Sequence, residues 1–138
     1  MKCRPAKLGF ANATSVISAP EPGKKLMGLV VDRRSVTLRH PDVYLHFPAL
    51  YQVHKGGQVN FSFAELVQSV ARPLPGKSFD PILVEVQPRN LERFSLDRHG
   101  ALFDYFLVRG TPDDVAALVG ESARKLQVRS KGRWHLLW

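Results

Sequence analysis

Residues 25–31, Lys25-Leu-Met-Gly-Leu-Val-Val31, form a continuous apolar run that stops abruptly at Asp32-Arg33-Arg34. Pro20, Pro22 and Gly23 break the chain just before it. A run this short, bounded by turn signals and ending in β-branched residues, predicts a buried strand. Residues 82–86 and 103–108 repeat that character. The period then changes. Thr111 suits a helix N-cap, Pro112 the first helical position, and Asp113 and Asp114 put negative charge in the first turn. The helix over 113–119 stops at Gly120. Residues 125–129 and 134–138 alternate around Ser130-Lys-Gly-Arg133, which predicts a hairpin.

The fold class that follows is α/β: a single-domain mixed sheet with a C-terminal β-α-β unit and a closing β-hairpin, flanked by helices. Residues 1–22 read as a partly ordered N-terminal segment holding a short helix over 5–18, and residues 23–138 as the α/β domain. Pro41 and Pro48 forbid one long helix through the segment after the first strand. A helical turn over 48–54, ending at Gly56-Gly57, fits instead. Residues 60–67 read as a short element, with Ser62 and Glu65 spaced as a capping box. Residues 71–81 read as an irregular connection, and 88–94 as a helical turn.

At 138 residues, the chain can bury a core without staples, and its lone Cys3 supports neither a disulfide framework nor a zinc site. The formal net charge of +8 is dispersed over short pairs and singles, approaching a cluster only between Arg124 and Arg133. That surface would attract nucleic acid, anionic lipid or an anionic ligand, the first weakly and without sequence preference. No apolar run approaches the roughly 18 residues that a membrane-spanning helix needs. Residues 8–19 are too polar for a signal peptide's apolar region, so a cytoplasmic address is the default expectation.

The densest chemistry follows the first strand. Residues 44–66 hold His46, His54, Tyr44, Tyr51 and three phenylalanines around the Gly56-Gly57 break. Open α/β sheets bind ligands beyond the carboxyl ends of their strands. One such end carries Asp32 and Arg33, and the aromatic segment comes directly after it. His46, Tyr51 and His54 are therefore expected on the wall of one cleft, with Asp32 and Arg33 at its rim. The structural alternative is a lid covering the sheet's end. The other strand end carries Arg109, Gly110 and Thr111, a candidate anion site using the free N–H groups of the helix start. Asp113 and Asp114 already compensate that end, so capping is the structural alternative. The histidine spacing matches no compact metal pattern, and no motif calls for a cofactor. In the terminal hairpin, Arg124, Arg129, Lys131 and Arg133 could meet phosphates while Trp134 or Trp138 stacks on a base. Alternation equally puts Trp134, Leu136 and Trp138 on one core-facing side.

Four phrases stand out together: Leu26-Met-Gly-Leu-Val-Val-Asp32, Tyr44-Leu-His-Phe-Pro-Ala-Leu-Tyr51, Gly56-Gly-Gln-Val-Asn-Phe-Ser-Phe-Ala64 and Phe103-Asp-Tyr-Phe-Leu-Val-Arg-Gly110. They resemble the soluble C-terminal portion of uncharacterised bacterial polytopic membrane proteins related to lipid-linked-sugar glycosyltransferases. The resemblance covers most of residues 20–138 and includes no catalytic motif. It implies that a membrane component carries the chemistry while the soluble part assists binding, so a membrane protein is an implied partner. This chain has no membrane spans, and stands as a fragment or as that domain alone. The expectation is a non-catalytic accessory module for a glycan or an anionic sugar derivative. Its rivals are a small nucleic-acid-binding protein using the hairpin, and an enzyme pairing His46 with Asp32.

Overall fold

The structure, a computed structural model, describes residues 4–35, 41–60, 75–76, 86 and 90–138. Within these, a five-stranded mixed sheet lies between helices. Helix α1 (Arg4–Ile17) leads into β1 (Lys25–Val30), α2 (Ala49–Lys55) and the two-residue β2 (Gln58–Val59). A 3₁₀ turn (Leu91–Arg93) and α3 (Leu96–His99) precede β3 (Tyr105–Arg109). Helix α4 (Pro112–Val119), a second 3₁₀ segment (Gly120–Lys125), β4 (Val128–Lys131) and β5 (Trp134–Leu137) complete the order.

The sheet order is β2-β1-β3-β5-β4. β1 pairs in parallel with both β2 and β3, and β5 runs antiparallel between β3 and β4. β3 and β4 are thus parallel, as a β-α-β unit requires, with the hairpin's return strand inserted between them.

Apolar alternation sorts side chains onto two faces. Leu26, Val30, Leu107, Trp134 and Leu136 pack on one face with Ala13, Val16 and Ile17 of α1 and Tyr51 of α2. Met27, Leu29, Phe106, Val108 and Leu137 pack on the other, with Val119 of α4 and with Leu91 and Leu96. Burial on both faces explains why β1 and β3 read as continuous apolar runs rather than as alternation. Ala13, Val16 and Ile17 recur at helical spacing on the inner side of α1. Helix α1, which lies in the N-terminal segment read from sequence as partly ordered, thus contributes Ala13, Val16 and Ile17 to the larger core cluster.

Helix α4 begins with a complete capping box: Asp114 N donates to Thr111 Oγ1 (3.2 Å), and Thr111 N donates to Asp114 Oδ2 (2.7 Å). The hairpin turns at Gly132, whose φ of 59° suits the first central position of a two-residue loop, followed by Arg133 at negative φ. The strand expected from residue 125 begins at Val128 instead, because 120–125 coil into the 3₁₀ segment. The strand expected over 82–86 and the element over 60–67 lie outside the described residues, save Val86 and Asn60, both buried. So do most of 71–81 and the start of 88–94.

Asn60 completes the sheet where β2 is too short. Its Oδ1 accepts from Gly28 N (2.7 Å), while Nδ2 donates to Gly28 O (3.2 Å) and Val86 O (2.6 Å). The side chain stands in for a further strand residue beside β1. Asn60→Ala is expected to lower stability by about 2–3 kcal/mol in chemical denaturation, since it orphans buried backbone groups. A loss under about 0.5 kcal/mol would show that water takes over those bonds.

Candidate functional site

The chain leaves β1 toward α2 on one face of the sheet and leaves β3 toward α4 on the other. The carboxyl ends of these adjacent strands therefore diverge, which makes a topological switch point. Val31 N and Asp32 N both donate to Arg109 O (3.0 and 3.1 Å), and Gly110 N donates to Arg133 O (3.0 Å). Three chain segments distant in sequence meet here.

A charged cluster fills the meeting point. Arg109 Nη1 donates to Asp32 Oδ2 (2.6 Å) and Asp32 O (2.7 Å), and Arg133 Nη1 also donates to Asp32 Oδ2. The Arg109 guanidinium lies 3.6 Å from the Tyr44 ring centroid and 5.7 Å from that of Trp134. Partial burial alone would raise the Asp32 pKa; hydrogen bonds and charge from Arg109, then Arg133, hold it below its ordinary value. Asp32 Oδ2 is thus committed to two guanidinium groups, those of Arg109 and Arg133.

The neighbouring Arg33 turns the other way and pairs with Asp42 at 3.4 Å. Together they form one side of an open cleft of about 550 Å³, lined also by Val30, Val31, Pro41, Leu91 and Glu92. The sequence pointed to Arg33 through its place after β1. It held no signal for Asp42 or Glu92, which arrive from a turn and from the opposite face.

The structure does not bring His46, Tyr51 and His54 onto one accessible wall. Tyr51 is fully buried, and its hydroxyl donates to Glu21 O (2.6 Å) and accepts from Lys24 N (2.9 Å). Those partners precede β1, so Tyr51 lies at the amino end of the strand whose carboxyl end carries Asp32. Its ring packs over Gly57, where an added Cβ would stand 2.2 Å from Cε1. His46 is half-buried in the turns before α2, and His54 is exposed on α2. Tyr51 is thus a core residue on the α1 face of the sheet, and lies neither on an accessible cleft wall nor over the carboxyl end as a lid would.

Of the second candidate set, Arg109 and Gly110 are buried, and Arg109 is committed to Asp32. The Thr111 N–H is taken by the Asp114 carboxylate. An incoming anion would have to displace that internal carboxylate. In the hairpin, Trp134 is buried and stacks on Phe47 with centroids 5.6 Å apart, so only Trp138, 39% exposed, is open to a base. Among the described residues, no three His, Cys, Asp or Glu side chains are grouped to hold a metal ion, and no helix is long and apolar enough to cross a membrane. Comparison with protein-family models, with curated proteins and with solved structures finds no match for this chain.

Proposed function

We propose that this chain is a binding module without catalysis of its own, and that its ligand is a glycan held in the cleft at the carboxyl edge of β1. The observation that carries the reading is the lining of that cleft: the Arg33–Asp42 pair, Glu92, and aliphatic surface from Val31, Pro41 and Leu91. A sugar hydroxyl both donates and accepts, so guanidinium and carboxylate groups side by side suit vicinal hydroxyls. The aliphatic surface suits the C–H face of a pyranose ring. Among the described residues one cation and two anions line the space, which favours a neutral glycan over an anionic sugar derivative. The accessory role follows from the resemblance to soluble parts of membrane-anchored sugar-transfer proteins.

The test is a glycan array followed by calorimetry on the hits. Neutral sugars should bind more tightly than their sulfated or phosphorylated forms. Arg33→Ala and Asp42→Ala should each weaken binding by about tenfold, the loss of one charge-assisted hydrogen bond, with Tm little changed. An array with no hits, or binding untouched by both substitutions, removes the reading.

A further inference from the structure

We propose that the outer edge of β4 is a docking edge for an acidic, extended peptide, which adds to the sheet as a further strand. β4 ends the sheet order, and all four of its residues are exposed. Its hydrogen-bond parity can be worked out. Gln127 and Trp138 exchange both backbone bonds, at 2.9 and 3.1 Å. In an antiparallel pair such narrow pairs recur at every second residue, so Arg129–Leu136 and Lys131–Trp134 are the next. The N–H and C=O groups of Val128 and Ser130 therefore point away from β5, toward open solvent.

Charge selects the occupant. Residues 122–138 contain Arg124, Lys125, Arg129, Lys131 and Arg133 and no acidic residue. Arg133 is taken by Asp32; Arg124, Lys125, Arg129 and Lys131 form no ion pair among the described residues. A second copy of this edge would set like charges opposite one another, which opposes self-pairing. An acidic strand would meet them with opposite charge. Val128, 51% exposed, offers an apolar contact on the strand's other face. The hydroxyl of Ser130 is bound to His135 Nδ1 (2.7 Å), and His135 Nε2 lies 3.2 Å from Gly110 O, which fixes the edge to the sheet's interior. A bound strand gains backbone pairing from Val128 and Ser130, and specificity from alternate side chains. Nucleic acid fits the same charge but uses no strand edge, and of the hairpin's two tryptophans only Trp138 is open to a base.

The experiment uses the intact chain and a labelled eight-residue peptide alternating Glu and Val, with blocked termini. Three comparisons accompany it: the same peptide N-methylated throughout, a labelled oligothymidylate, and the protein carrying Arg129→Glu with Lys131→Glu. The parent peptide is expected to bind and to shift the amide signals of Val128 and Ser130. N-methylation should abolish binding, and the double charge reversal should weaken it by about tenfold or more, consistent with two close ion pairs. All the altered residues are exposed, so an unchanged Tm verifies folding. Equal binding of the methylated peptide would reduce the effect to charge attraction and overturn the proposal. So would tighter binding of the oligothymidylate at the same residues, or no binding of the parent peptide. None of these outcomes bears on the glycan cleft.

Discussion

Tyr51→Ala is expected to destabilise the protein by about 3–5 kcal/mol, seen as a fall in denaturant midpoint at unchanged slope. The ring is fully buried in the larger core cluster, between the sheet and helix α1. Its removal leaves a cavity against Gly57 and Lys24, where the Gln58 N to Lys24 O bond (3.0 Å) holds the backbone and limits collapse. Burial holds the phenol's pKa above its ordinary value, so it remains a neutral donor to Glu21 O throughout the physiological range. Tyr51→Phe separates the two contributions. It keeps the ring and removes both hydroxyl bonds, and should cost about 1–3 kcal/mol. His54→Ala, on the exposed side of the same helix, should change stability by less than about 0.5 kcal/mol. A Tyr51→Ala variant within about 1 kcal/mol of wild type would return Tyr51 to consideration as a cleft residue.

That contrast shows where the sequence was legible and where it was not. β1, β3 and α4 were readable because their signals are local: two apolar runs, and Thr111, Pro112 and Asp114 at capping positions. The hairpin was readable from Gly132 and the alternation beyond it. The place of β5 between β3 and β4 was not, because strand order depends on long-range pairing that no local pattern encodes. The start of β4 was not, because a strand exposed on both sides shows no periodicity of burial. For the site, Asp32 and Arg33 were correctly placed at the sheet's carboxyl edge by the end of the apolar run. The place of the aromatic segment directly after β1 predicts that it stays beside them. It begins there, but α2 then runs back along the sheet, and by Tyr51 and Lys55 the chain bonds to Glu21, Gly23 and Lys24 at the opposite end. Proximity in sequence to a strand's end holds only until the next helix carries the chain away.

Asp32→Ala is expected to cost about 3–5 kcal/mol, because it leaves the buried guanidinium of Arg109 without its anion. Arg109 Nε is buried with no hydrogen-bond partner among the described residues, so the guanidinium relies on Asp32 and the Tyr44 ring. The same cluster gives a pH signature. The folded-state pKa of Asp32 lies below its ordinary value of 3.8, so the unfolded chain binds this proton more readily than the folded one. Its contribution is then fully present above that ordinary value and is lost as pH falls through the lower folded value. Wild type and Asp32→Asn, compared by chemical denaturation from pH 7 to well below pH 3.8, should differ most at neutral pH, and the difference should shrink as the pH falls below 3.8. A constant difference across that range would mean that Asp32 acts through the shape of the loop rather than through its charge. A second substitution locates the partner that matters. Arg133→Ala removes an exposed guanidinium and should cost less than about 1 kcal/mol, whereas Arg109→Ala removes a buried one together with its packing on Tyr44. If the two cost the same, the cluster is held at its solvent side, and Arg109 is not the anchor of the switch point.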